Sequence, residues 1–175
     1  MVDEVVNTWG TIDILINNAG ISDSKPIYDY DDNYFAEIMN INVQAVFNCS
    51  KLVANIMRKN HNGVILNTSS VVSLYGQTVG VGYPTSKFAI NGMTRSLARE
   101  LGKDGIRVNA IAPGIIEADM VASLNQNIIS EMTAGIPVGR IGNADDIANA
   151  FLFLASDMAS YISGAVLSID GAIVI

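Results

Sequence analysis

Short apolar runs alternate with longer segments of helical pattern along this chain, and that alternation restricts the folds open to it. Strand, helix and strand in repeated succession is the pattern of βαβ units around a parallel sheet. A run that is apolar on both of its faces is typical of a strand buried inside such a sheet. The sequence therefore predicts an α/β fold with a doubly wound parallel sheet, whose strands are Ile12–Asn17, Val64–Thr68, Arg107–Ala112 and Val166–Ile169.

The segments between these strands carry the signals of helix ends. Asp31 is a candidate N-cap, and Gly102 is a candidate C-cap. A polar and weakly patterned stretch, Glu117–Ser130, predicts a mobile flap. We find no repeat or linker, so residues 1–175 are expected to form a single unit, with helices at Asp31–Asn60, Tyr83–Gly102 and Asn143–Ala155.

Composition excludes several classes of protein. Half of the 175 residues are hydrophobic and 15% are charged, which argues against a disordered chain. The net charge of −7 argues against a nucleic-acid or membrane-surface partner. No apolar run approaches the roughly 20 residues of a membrane span, and the first residues lack the basic region of a secretory signal. One cysteine (Cys49) and one histidine (His61) leave no internal disulfide and none of the usual metal-site chemistry, so we expect a cytoplasmic protein with no bound metal.

The first long helix is apolar around most of its circumference. Such a helix must be buried on two sides, and the sheet covers only one of them. A second copy of the chain is the favoured cover, giving a homo-oligomer, dimer or tetramer, through Asp31–Asn60 and Tyr83–Gly102. A loop of the same chain is the alternative.

Tyr83 and Lys87 stand one helical turn apart, on one face of the second long helix. For proton transfer near pH 7, a phenol whose pKa is near 10 must be acidified at a cost of about 4 kcal/mol. An ammonium about 4 Å away, at an effective dielectric constant of about 20, supplies roughly that much. The pair therefore suits general acid–base catalysis, although a surface pair without a role is the alternative.

Other polar residues follow the strands, where doubly wound sheets bind their ligands. Ser70 comes directly after Val64–Thr68, and its hydroxyl either binds a substrate carbonyl or closes the turn. Asn17-Asn18-Ala19-Gly20 and Pro113-Gly114 either approach a flat ligand or form ordinary turns. Asn42, inside the apolar helix, is either a structural hydrogen-bonding residue or part of a water relay.

Together these motifs resemble the short-chain dehydrogenase/reductase family. The resemblance rests on the order of Asn-Asn-Ala-Gly at 17–20, Asn42, Ser70 placed 13 residues before Tyr83-x-x-x-Lys87, and Pro113-Gly114. It extends over nearly the whole chain and is strongest to the 3-oxoacyl-[acyl-carrier-protein] reductases. The resemblance implies the C-terminal part of a Rossmann-type three-layer sandwich.

The resemblance also implies roles for single residues. Tyr83 would protonate a carbonyl oxygen, Lys87 would lower the pKa of Tyr83 and bind the nicotinamide ribose, and Ser70 would orient the carbonyl. Asn42 would hold a water molecule, and the flap would close over the substrate. The implied reaction interconverts a ketone, free or attached to an acyl carrier, and a secondary alcohol with NADP or NAD. The residues implied to bind this cofactor are Asn17, Ala19, Gly20, Tyr83, Lys87, Pro113, Gly114 and Ile116.

The chain departs from the family pattern in three places. Ala118 stands where a threonine is usual, and Ala172 replaces a glycine. The glycine-rich cofactor loop is absent, so we expect roughly 60–70 preceding residues to be missing and cofactor binding to be weak. A non-catalytic scaffold or oligomer subunit is therefore the alternative to an active reductase. A serine hydrolase is disfavoured because His61 lies in a turn.

Overall fold

Four parallel strands form the centre of the molecule. The computed structural model describes residues 1–117 and 126–173. The strand order is β1-β2-β3-β4, so each strand pairs with the next one along the chain. All four strands therefore end at the same edge of the sheet, and the predicted parallel α/β fold is confirmed. The strands are β1 Ile14–Asn17, β2 Gly63–Thr68, β3 Ile106–Pro113 and β4 Val166–Ile169.

Seven α-helices lie within the described residues. The two longest, α3 and α5, pack on one face of the sheet, and α7 packs on the other. The helices are α1 Val2–Trp9, α2 Asp32–Met39, α3 Ala45–Asn60, α4 Val72–Tyr75, α5 Gly82–Leu101, α6 Gln126–Ala134 and α7 Ala144–Ala155.

Each face of the sheet has its own apolar core. On the α3 and α5 face, Met57 and Val53 pack against Ile65 and Val108, and all four are at most 1% exposed. On the α7 face, Phe151 and Leu154 pack against alternate strand residues, including Leu66. Because strand side chains alternate between faces, β2 and β3 supply both cores.

The helix ends agree with the predicted signals, with a different backbone geometry at one glycine. The Asp31 carboxylate accepts a hydrogen bond from the Tyr34 N–H, and Asn143 forms a capping box with Asp146 at the start of α7. Gly102 is the C-cap of α5, as predicted, but its backbone is right-handed and continues into a 3-10 turn. Gly105, with φ of 75°, takes the left-handed position instead, where a side chain would meet the backbone of His61.

Strand β1 lies at the edge of the sheet and is shorter than predicted. It begins at Ile14 rather than Ile12, and its side chains are alternately exposed and half-buried. Ile14 and Ile16 point to the α7 face and are 49% and 45% exposed, because no described element covers them there. The expectation of an apolar strand buried on both faces is therefore wrong for β1, and an apolar edge is present.

The predicted flap overlaps the chain beyond the described residues. Of Glu117–Ser130, residues 118–125 lie outside the described ranges, and so does the Ala118 departure. Residues 126–130 belong to α6, and the mobility of the flap stays a prediction. Within the described ranges, no helix combines the length and the apolar character needed to cross a bilayer.

Candidate active site

Tyr83 and Lys87 lie on the inner face of the first turns of α5. The Lys87 ammonium is 5.6 Å from the centre of the Tyr83 ring, so the two groups face the same space. Lys87 is 4% exposed, and its Nζ donates a hydrogen bond of 2.7 Å to the carbonyl oxygen of Thr68 at the end of β2. This bond places the ammonium at the edge of the sheet where the strands end.

Burial controls the protonation of both groups. Burial raises the pKa of Tyr83 above its ordinary value, and the hydrogen bond with Ser70 offsets part of that rise. Burial also lowers the pKa of Lys87 to about 8. The pKa of Tyr83 is therefore raised overall, because desolvation of the phenol dominates it, and the acidifying effect of Lys87 stays a prediction. A protonated phenol at neutral pH is the form that donates a proton.

Ser70 begins the turn that leads from β2 into α4. Ser69 N–H donates to the Ile111 carbonyl oxygen, and Val71 N–H donates to the Pro113 carbonyl oxygen, so the turn continues the pairing with β3. The side chain of Ser70 lies at the Tyr83 phenol. The structure thus brings together Ser70, Tyr83 and Lys87, which the sequence placed on two separate elements.

Asn42 lies in a π-helical turn, Asn40–Gln44, that joins α2 to α3. The predicted single helix Asp31–Asn60 is therefore interrupted at this residue, and such turns are frequent at functional sites. The amide of Asn42 accepts from the Ile21 N–H and donates to the Ile21 carbonyl oxygen and to Ser86 Oγ. Asn42 is thus a structural hydrogen-bonding residue that ties the loop after β1 to α5, and its role in holding water stays a prediction.

The residues assigned to cofactor binding lie along the edge where the strands end. Asn17 closes β1 and donates to Ser50 Oγ and Asn67 Oδ1, whereas Ala19 and Gly20 are exposed just beyond it. A side chain at Gly20 would begin 3.1 Å from Asn42 Oδ1 and 3.6 Å from Lys87 Nζ. Glycine therefore keeps the loop close to both groups.

Pro113 ends β3 and Gly114 follows it, at the same edge of the sheet. Gly114 N–H donates to the Ile169 carbonyl oxygen, and Ile116 pairs with Gly142 in an isolated bridge. The exposed backbone at Ala19 and Gly20, next to the Lys87 ammonium, suits the hydroxyl groups of a nicotinamide ribose. The donor set therefore fits the nicotinamide cofactor.

Asp23 is a buried carboxylate that the sequence reasoning missed. It is 8% exposed and accepts hydrogen bonds from Tyr30 Oη, from the Gly82 N–H that opens α5, and from the Lys25 N–H. Its backbone carbonyl oxygen accepts from Gln77 Nε2. Asp23 thus joins the loop after β1 to the first turn of α5. The contact with Lys25 N–H is local, but the partners that join Asp23 to α5 and to the loop before it, Gly82 and Gln77, are distant in sequence.

A cavity of about 460 Å³ opens beside the start of α5, between the loop after β1 and the loop that leads into α5. Val81 and Pro84, which flank Tyr83 in sequence, line it together with Phe88 of the next turn. Among the described residues that line it, which also include Pro26, Ile27, Tyr28, Gln77, Thr78 and Val79, none carries a charged side chain.

Several residues set aside from the sequence lie away from this site. His61 is exposed and left-handed at the end of α3, as the turn prediction required. Cys49 is half-buried on α3. Asp146 pairs with Arg140 at 2.7 Å and, in the first turn of α7, completes the capping box with Asn143.

Comparison with known proteins establishes the family. A family model described as enoyl-(acyl carrier protein) reductase, of the short-chain dehydrogenase/reductase group, matches residues 1–173. The chain belongs to the short-chain dehydrogenase/reductase family, and it is an oxidoreductase of that family. The resemblance seen in the sequence is confirmed.

Its relatives carry two kinds of name. A 3alpha-hydroxysteroid dehydrogenase of Mediterraneibacter gnavus is 60% identical over 172 residues, which cover 98% of this chain and 69% of that protein. The 3-oxoacyl-[acyl-carrier-protein] reductase FabG of Thermotoga maritima is 41% identical over 175 residues, covering 100% of this chain and 71% of that protein. The FabG of Staphylococcus aureus strain N315 is 39% identical over 171 residues, 98% of this chain and 70% of that protein.

Proposed function

We propose that this chain interconverts a ketone and a secondary alcohol with NADPH or NADH. The observation that carries the proposal is the convergence of the Tyr83 phenol, the Ser70 hydroxyl and the Lys87 ammonium at the edge where the strands end. When bound, the nicotinamide supplies the hydride that reduces the carbonyl carbon. Every other part of the chemistry belongs to the side chains of the chain itself.

Tyr83 gives the proton in the reducing direction. Its hydroxyl transfers a proton to the carbonyl oxygen as that oxygen gains charge, which leaves a tyrosinate to be reprotonated from solvent. The raised pKa keeps the phenol protonated at neutral pH, and Ser70 donates a hydrogen bond that holds the carbonyl oxygen next to it. In the oxidising direction the tyrosinate accepts the proton from the alcohol.

Lys87 supports both the proton transfer and the cofactor. An ammonium beside a forming tyrosinate stabilises the negative charge, and one of its three donors is already fixed by Thr68. The remaining donors would hold the ribose hydroxyls, with Asn17, Ala19 and Gly20 on one side. Pro113, Gly114 and Ile116 would seat the carboxamide, and Asn42 keeps Gly20 and Ile21 in place.

The substrate candidates are a steroid ketone and a 3-oxoacyl thioester. The steroid is placed first because the hydroxysteroid dehydrogenase has the higher identity. The 3-oxoacyl thioester, with its place in fatty acid synthesis, is supported by the FabG relatives. A cytoplasmic homo-oligomer that uses the outer faces of α3 and α5 is also proposed, because Phe47, Leu52 and Phe88 are 43%, 53% and 48% exposed there.

The decisive experiment compares Tyr83→Phe with Tyr75→Phe, a variant at an exposed tyrosine outside the site. Oxidation of NADPH and of NADH is followed with a 3-oxosteroid and with an acetoacetyl thioester. We expect Tyr83→Phe to lower turnover by at least about 10²-fold, the scale of general acid catalysis, and Tyr75→Phe to leave it unchanged. Undiminished turnover in Tyr83→Phe would overturn the proposal.

The non-catalytic alternative is tested by binding. Titration of NADPH and NADH onto the protein shows whether a cofactor is held and which one is preferred. Micromolar affinity contradicts the expectation of weak cofactor binding. Absence of binding and of turnover, in a folded protein that associates with itself, would favour a scaffold.

A further inference from the structure

Three buried polar side chains join α5 to the turn that carries Ser70, and none of them takes part in the proton transfer proposed above. Asn91 lies two turns after Tyr83 and one turn after Lys87, so all three share one face of α5. Asn91, Ser69 and Ser73 are 4%, 2% and 1% exposed. Buried polar groups destabilise a protein unless they are paired, so the hydrogen bonds of such a cluster hold its side chains in one arrangement.

The three side chains form a directed chain of hydrogen bonds. The Ser69 hydroxyl donates to Asn91 Oδ1 at 2.6 Å, and Asn91 Nδ2 donates to Ser73 Oγ at 2.8 Å. The Ser73 hydroxyl in turn donates to the carbonyl oxygen of Ser70 at 2.5 Å. The chain therefore begins beside β2, passes through α5, and ends on the backbone of the residue whose hydroxyl meets Tyr83.

Other contacts already hold α5 against β2. Lys87 Nζ donates to the Thr68 carbonyl oxygen, and Asn67 Nδ2 donates to Thr94 Oγ1 at 2.9 Å. Both of these contacts end on the strand itself. Asn91 instead reaches the turn beyond the strand, where Ser70 lies. Its loss leaves the helix docked and the turn still paired with β3, but it weakens the attachment of the turn to α5, which then rests on the contact of Ser69 Oγ with the Lys87 carbonyl oxygen at 3.3 Å.

We propose that Asn91, acting through Ser73, is a positioning residue that fixes Ser70 against Tyr83. The inference rests on the proposed function, because it assigns the cluster to the ketone and alcohol reaction. One end of the Ser70–Tyr83 contact is carried by α5 directly, and the other end is tied to the same helix eight residues later. The cluster therefore restrains the turn relative to α5 and so keeps the distance between the Ser70 and Tyr83 hydroxyls constant.

The test uses Asn91→Leu and Ser73→Ala, with two readouts. The first is the pKa of Tyr83, measured by NMR of isotope-labelled tyrosine and assigned with Tyr83→Phe. Because the Ser70 hydrogen bond lowers this pKa, we expect both variants to raise it in the direction that Ser70→Ala does. The other titratable groups near Tyr83 are Lys87 on α5, and Asp23 and Tyr30 at the Gly82 N–H, and both variants retain them.

The second readout is turnover of the 3-oxosteroid and the acetoacetyl thioester. A small displacement of a reacting group is costly, so we expect kcat to fall about tenfold with KM within about twofold. In the double variant the losses are less than additive, because both substitutions break one chain. Where Asn91→Leu fails to fold, Ser73→Ala alone decides the outcome.

Asn109→Leu is the matched control. Asn109 is also fully buried, but its amide bonds to Ile162 and Ala165 on the α7 face. We expect it to lower the thermal midpoint and leave the Tyr83 pKa unchanged. An unchanged Tyr83 pKa in Asn91→Leu and Ser73→Ala, with a raised one in Ser70→Ala, would overturn the inference. Failure of the proposed function shows separately, as undiminished turnover in Tyr83→Phe.

Discussion

The two faces of the sheet differ in what they bury. Beneath α3 and α5, the part nearest the strand ends is filled by hydrogen-bonded polar side chains, among them Asn42, Asn67 and Asn91. Beneath α7, within the part of the chain that the structure describes, the buried side chains are apolar apart from Asn109. In the described residues, no buried side-chain nitrogen or oxygen lacks a hydrogen-bond partner.

The two faces therefore contribute differently: one fixes the geometry of the site, and the other stabilises the fold. An apolar contact is non-directional and tolerates repacking, whereas a buried amide requires its partner within hydrogen-bonding distance. The polar face therefore fixes one arrangement of Ser70, Tyr83 and Lys87. The α7 face supplies burial without constraining the geometry of the site.

The largest expected effect is on activity alone. Lys87→Met removes the ammonium but keeps a side chain of similar length. We expect turnover to fall by at least about hundredfold, while the thermal midpoint stays constant or rises, because burial of this charge opposes folding. Turnover and thermal unfolding are measured on the same preparation. A large loss of stability would show that the polar face is chiefly a stabilising one.

The reverse result is expected on the α7 face. Leu66→Ala opens a cavity beneath α7 and should lower the free energy of unfolding by about 2–5 kcal/mol. Turnover per folded molecule should remain unchanged at a temperature where the variant is folded. Urea unfolding measures the first quantity, and Leu152→Ala at an exposed site of α7 serves as its control. A fall in kcat would mean that the α7 face also positions the site.

Deprotonation of Lys87 should change stability and ketone reduction in opposite directions as the pH rises. Its pKa is about 8 in the folded protein, against an ordinary value of 10.5. Between these values the unfolded chain binds the proton and the folded one does not, so the contribution of this group to stability increases with pH. Below about 8 both states are protonated, and the full penalty of burial remains.

Ketone reduction should instead decline above pH 8, by up to about tenfold for each pH unit as the ammonium is lost. Unfolding and turnover are followed from pH 7 to 10. The gain of stability should disappear in Lys87→Met. If stability still increased with pH in this variant, the titrating group would be one other than Lys87.

The smallest effect is expected at the exposed edge. Ile14→Thr replaces a side chain that is 49% exposed on the uncovered part of the α7 face. The free energy of unfolding should therefore change by less than about 1 kcal/mol. Light scattering should show less self-association, because apolar edge strands promote pairing. Leu15→Thr, on the α3 side, should cost more stability without that benefit. Equal losses of stability in Ile14→Thr and Leu15→Thr would show that the two faces of β1 do not differ in burial.

Strand and helix order followed from local pattern, because burial on two faces, caps and turns leave short-range signals. Asp31 and Asn143 are examples, since each cap contacts a residue three positions away. The interruption of the first long helix at Asn40–Gln44 had no such signal. The π-helical turn places Asn42 against Ile21 and Ser86, and those partners come together only in the folded chain.

The sequence by itself determined the parallel α/β order and the candidate set of Ser70, Tyr83 and Lys87, because residue types at fixed spacing carry that information. The tertiary structure decided the protonation of this set, since burial raises the pKa of Tyr83 and lowers that of Lys87, contrary to a simple pairing of charges. It also decided which other polar residues support the set. Asp23, Ser73 and Asn91 have partners distant in sequence or on another element, and desolvation and long-range hydrogen bonding exist only once the chain has folded.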